Sequence, residues 1–231
     1  MTQPADASPP APAEIPWHHL VEETSDESAL SASFLTLLVI SCLIAGAGVI
    51  TESPVTIVGA MVVCPDFGPL AALAVGAVGR RRDLVRRGLL ALLVGYPLAV
   101  AVTFLAGLAL EATGLLDPAA LDDLGAVSFV YQVGPYSAMV ALLAGVAGMT
   151  ALVSAKSGAL IGVFISVTTI PAAGCAALSA TAGDWGRCGA SLAQLGVNLA
   201  GVALAGTVTL WVARERAREQ LSAAGRPARE A

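Results

Sequence analysis

A chain of 231 residues that is 56% hydrophobic and only 13% charged, with a mean hydropathy of +0.79, falls among membrane proteins before any motif is read. Its net charge of −5, with no basic patch interleaved with aromatics, excludes a nucleic-acid reader. Four cysteines, Cys42, Cys64, Cys175 and Cys188, stand singly in apolar segments. They read as small buried hydrophobes, with no spacing for a metal site or a disulfide framework.

Residues 1–28 are Pro/Ala-rich and then acidic, without a Lys or Arg, so they lack the charged start of a signal peptide. They are expected to form a disordered tail, with 15–21 lying at the membrane interface through Trp17. His18 and His19 have no partner at metal spacing. Residues 29–212 hold six hydrophobic segments, approximately 34–50, 55–78, 88–110, 137–154, 158–180 and 189–212, each near the length that crosses a bilayer. Residues 213–231 are a charged tail that extends the last helix.

The second segment is broken midway. Pro65 removes a backbone donor, Gly68 and Pro69 weaken the helix again, and Asp66 puts an ionisable group near the midplane. A carboxylate there costs on the order of 3 kcal/mol on insertion scales. Asp66 therefore reads as a proton or cation site, or as the N-cap of a half-helix starting at Phe67, and the two readings are compatible. Arg80, Arg81, Arg82, Arg86 and Arg87 follow directly. They read as a topology anchor touching anionic lipid in preference to a specific ligand site.

A polar stretch over 111–135 separates the third and fourth segments. The fifth carries Thr168, Thr169 and Pro171, either a second break or a plain kink whose freed carbonyls the threonine hydroxyls bond. The sixth carries Gln194 and Asn198 one turn apart, read as interhelical hydrogen bonding ahead of the lining of a path. Gly145 with Gly148, and Gly158 with Gly162, put small residues on single helix faces, for packing within the chain or for a homo-oligomer seam.

Charge orients the chain. With six crossings, Arg80–Arg87, Lys156 and the arginines from Arg214 onward share one side, leaving only Arg187 opposite. Both termini are then cytoplasmic at an inner membrane. A repeat is also legible: the stretch from Ser53 to Pro65 is echoed from Ser157 to Pro171. Units over about 30–110 and 137–212 would each have three spans, an odd number that inverts one copy relative to the other.

The run SPVTIVGAMVVCPDFGPL over 53–70 resembles the signature of the bacterial "domain of unknown function 389" membrane proteins, and 141–148, 157–173 and 183–185 with Asn198 and Leu199 agree. The resemblance extends over about 30–212 and implies a polytopic helical membrane protein; the family has no settled activity to lend. Two positions depart from the pattern. Asp66 stands where the family has an apolar residue, so it is not carried over as a family functional residue. Ile170-Pro171 stands where the family has two prolines, so the second break is expected to be gentler.

No nucleophile–base pair, P-loop or metal cluster is present in the sequence, so an enzyme, a cofactor and a metal are not expected. The expected fold is an all-α polytopic membrane protein of about six transmembrane helices, a 3+3 inverted repeat with two proline-broken helices. Its expected role is a transporter or channel for an ion or small polar solute. The candidate path residues are Pro65, Asp66, Gly68, Pro69, Thr168, Thr169, Pro171 and Asn198. The alternatives are a non-transporting oligomeric module of structural or regulatory role, and a lipid-binding protein.

Overall fold

The structure, a computed structural model, describes residues 17–116, 134–154 and 158–224, with the side chains at 18, 19, 23, 158–168 and 220–224 outside the description. The polar stretch over 117–133, Lys156, Ser157 and residues 1–16 also lie outside it. Among the described residues eight helices follow in order: α1 Trp17–Glu27, α2 Ala32–Ile50, α3 Pro54–Val63, α4 Phe67–Gly79, α5 Arg82–Ala112, α6 Pro135–Val153, α7 Gly158–Thr181 and α8 Trp185–Ala224. Among the described residues α2, α5, α6 and α8 are long and apolar enough to cross a membrane, and α3 with α4 makes a fifth span if the bent pair is counted as one. Large apolar side chains such as Val55, Leu93, Leu105, Leu143 and Leu204 are exposed on these helices, the surface a lipid-embedded bundle presents.

Local chemistry sets the breaks. Ser31 accepts a hydrogen bond from the Phe34 N–H at 3.1 Å and starts α2. Ser53 does the same for Thr56 at 3.3 Å, and Pro54 follows at the first helical position, where its missing N–H costs nothing. Pro65 disfavours helical geometry at the residue before it. Cys64 is accordingly extended, with φ −68° and ψ 127°, and α4 leaves at 54° to α3.

The second expected break does not form. α7 runs as one helix through Pro171, and α5 likewise through Pro97. A lone proline deletes one i→i−4 bond, which a packed helix in a membrane survives. Where Pro65 is followed by Gly68 and Pro69, the helix parts.

Contacts between helices fix their directions. Gly95 faces Leu38 and Gly46 faces Thr103, so α2 and α5 run the same way. Gly201 faces Ala141 and Gly206 faces Met149, so α6 and α8 also run together. Pro69 meets Gly88 and Val85 meets Gly76, setting α4 against α5 in direction. Gly206 also faces Ala74, and Arg214 reaches Val78, so α8 follows α4 and opposes α5. Gly145 packs on the α8 backbone at Val202.

Residues Trp17–Glu27 correct the expectation of a disordered tail over 1–28. They form α1, with Leu20 and Thr24 buried and Ser28 buried just past its end. Polar composition masks a stripe at helical spacing, Trp17, Leu20, Val21, Thr24 and Ser28, that covers α4. Glu27 lies against Gly68 and Trp17 against Gly79, so the two helices run antiparallel. Arg87 donates to Ser25 Oγ at 3.1 Å, and the Arg214 guanidinium lies 4.9 Å above the Trp17 ring. At the other end of the chain α8 carries the charged tail on as helix to Ala224, as expected.

Candidate functional site

The break between α3 and α4 delivers Asp66 into the middle of the bundle. It occupies the N-cap position of α4 but makes no capping bond there, and its residue surface is completely buried. Instead Oδ2 accepts two hydroxyl hydrogen bonds, from Tyr96 of α5 at 2.8 Å and from Thr169 of α7 at 2.6 Å. Both donors are themselves buried. Hydroxyl donors aimed at a carboxylate are the compensation that makes a buried acid tolerable where water is excluded. Tyr96 is three residues from the centre of the apolar run 88–110, or about 4.5 Å along a helix axis, so the group lies near the middle of that run.

The main-chain groups freed at the break have partners too. Ala60, in the last turn of α3, offers a carbonyl with no successor in its own helix, and Ser41 Oγ of α2 donates to it at 2.5 Å. Leu70 N–H reaches Asp66 O at 3.3 Å and closes the first turn of α4. Gly68 permits the close approach of the α1 backbone at Glu27, and the Pro69 carbonyl packs against Gly88. Beside the Tyr96 ring an apolar groove of about 440 Å3 opens between α5, α7 and α8, with Phe104, Trp185 and Leu192 among its walls.

The candidates thus divide. Asp66 and Thr169 meet directly; Pro65, Gly68 and Pro69 form and seat the break; Pro171 lies two residues beyond Thr169 in continuous helix. The Thr168 side chain lies outside the described residues. Asn198 belongs to a second polar cluster: Gln194 donates to its Oδ1 at 3.4 Å and also to Ser137 Oγ of α6. The bond to Ser137 joins α8 to α6, while the bond to Asn198 lies within α8. Of the anchor arginines, Arg81 pairs with Asp83 at 3.2 Å on the surface, and that hydrogen bond holds the Asp83 carboxyl below the usual carboxylate range. An exposed pair of this kind adds little stability.

Sequence reasoning missed Tyr96 and Ser41. Tyr96 had a signal, since it is the only side chain with a polar tip between Gly88 and Val102, and a phenol in such a run must find a partner. Tyr96→Phe is expected to cost about 2 kcal/mol, the usual worth of a hydrogen bond to a charged acceptor, measured as the shift in thermal unfolding of the detergent-solubilised protein.

The family model described as Domain of unknown function (DUF389) matches residues 61–204, which contain Asp66, Tyr96, Thr169 and Asn198. No curated protein and no solved structure matches.

Proposed function

The chain belongs to the DUF389 family, and on that premise we propose that this membrane-embedded helical protein is a transporter or channel for an ion or small polar solute. In this reading α7, 24 residues long, is a sixth crossing. The helices α2 to α5 and α6 to α8 then form two three-span units of opposite direction, an arrangement recurrent in transporters whose sites lie near the midplane between repeats. The opposed directions of α5 and α8, and the parallel pairs α2 with α5 and α6 with α8, support it. Both termini and the α4–α5 turn face the cytoplasm of an inner membrane by the positive-inside rule.

One observation carries the proposal: a carboxylate in the first unit accepts a hydrogen bond from a hydroxyl in the second, 103 residues away, at 2.6 Å. Such a bond can exist in one arrangement of the units and break in another, so that the surroundings of Asp66 would change with their relative position. In this reading the described arrangement, with Asp66 wholly buried, corresponds to an occluded one.

That same burial favours a second reading, in which Asp66, Tyr96 and Thr169 form a fixed clasp inside a non-transporting module. Thiol labelling separates the two. In a variant with Cys42, Cys175 and Cys188 replaced by alanine, an aqueous maleimide is expected to modify Cys64, which is 6% exposed, slowly at rest and faster under an ion gradient that drives flux in proteoliposomes. Complete protection under every gradient, with no flux over a panel of ions, supports the clasp and ends the transport proposal.

A further inference from the structure

At the arginine-rich end of the bundle, the last turn of α4, Arg80 and the end of α8 enclose a cavity of about 630 Å3. Arg80, Arg214 and Arg218 line it against a single carboxylate, Glu215, and Val208 and Trp211 form an apolar wall. Both wall residues are more than half exposed. With Leu204 they follow the four- and three-residue spacing of one helix face, so the wall continues the lipid-facing surface of α8. We propose that this cavity binds an anionic phospholipid, its phosphate between the three arginines and an acyl chain along Val208 and Trp211.

Charge supports the assignment first. Three guanidiniums against one carboxylate favour a phosphate, which arginine recognises through paired donors. The carbonyl end of α4 would oppose an anion, but Arg214 donates to Val78 O at 2.7 Å and offsets that end. Arg218 contacts Glu215 at 3.0 Å, an exposed pair worth little stability, which leaves the guanidinium able to turn toward a phosphate. The place fits as well, because tryptophan beside clustered arginine marks the boundary between acyl chains and headgroups.

The backbone adds an independent observation. α4 ends in a turn in which Arg80 N–H bonds Ala77 O at 3.3 Å and Arg81 N–H bonds Gly76 O at 2.8 Å. That closure requires a left-handed residue after the helix, normally glycine. Here Arg80 takes it, with φ 54°, although glycine stands one position earlier. Backbone strain of this kind clusters at ligand clamps, and here it falls on a residue that lines the cavity.

The inference does not rest on transport, and its test reads binding alone. Purified protein in detergent is titrated with dioleoylphosphatidylglycerol, dioleoylphosphatidylcholine, glycerol 3-phosphate or inorganic phosphate, following thermal unfolding and lipid retention by native mass spectrometry. Phosphatidylglycerol is expected to stabilise and to be retained; the other three are not. Arg80→Gly removes the backbone strain, so it is expected to unfold no lower than wild type without lipid, yet to bind phosphatidylglycerol about fivefold more weakly. Arg82→Gln, outside the cavity, is expected to bind as wild type. Equal retention of the two lipids, or an equal loss in Arg82→Gln, overturns the site. The same stabilisation by glycerol 3-phosphate overturns the lipid as its occupant.

Discussion

Asp66→Asn is expected to fold and to lose solute flux by at least about tenfold, a small part of the barrier changes that a charged group can control. Asparagine keeps the shape of the side chain and an acceptor oxygen for Tyr96 and Thr169, so its cost in stability is expected to stay within about 1 kcal/mol. What it removes is the ability to gain and lose a proton or to face a cation with a full charge. Asp66→Ala behaves differently. It leaves two buried hydroxyls, 2.8 Å and 2.6 Å from the lost oxygen, without that acceptor. At roughly 1–3 kcal/mol for each orphaned group, partly relieved by rotation, the expected loss is about 3 kcal/mol. Flux in proteoliposomes and thermal unfolding in detergent read the two effects separately. Wild-type flux in Asp66→Asn would remove the carboxylate from the mechanism and leave it a structural role.

The second large effect concerns how α4 is seated. A Cβ at Gly88 would stand 2.5 Å from the Pro69 carbonyl oxygen and 3.3 Å from Leu73. The first neighbour is backbone and cannot rotate away, so Gly88→Ala must push α4 from α5. Overpacking of this kind costs about 1–3 kcal/mol, and the upper end is expected here because the displaced segment begins three residues after Asp66. Gly59→Ala and Gly196→Ala are the controls, since a Cβ at either position meets nothing within 4 Å, and both are expected to be neutral. Unfolding temperatures of the three variants decide the point. A Gly88→Ala as stable as the controls would mean that α4 and α5 are not in backbone contact.

Much of this architecture is legible in the residues because it is local. Ser53-Pro54 starts a helix and Pro65 ends it, through bonds within a few positions of each residue. An apolar run bounded by Arg87 and Glu111 has the length of a span wherever it packs. The partners of Asp66 are another matter. Tyr96 and Thr169 lie 30 and 103 residues away, and nothing in the composition of either segment states that they meet. Thr169 attracted notice beside Pro171 as a hydroxyl for its own helix, and its hydrogen bond goes elsewhere. The break expected at Pro171 overstated what one proline does; Pro97 makes the same point inside α5. α1 went unread because acidity dominates 17–28, and only its helical spacing shows a face that needs covering.

A double-mutant cycle tests the meeting of the two units most directly. Thermal or denaturant unfolding of wild type, Asp66→Ala, Thr169→Val and the double variant yields the coupling between the two side chains. A hydrogen bond from Thr169 to the buried carboxylate predicts a coupling of about 1.5 kcal/mol or more. Additive losses, with no coupling beyond error, would contradict contact between Asp66 and Thr169, and with it the shared polar centre from which the functional reading is built.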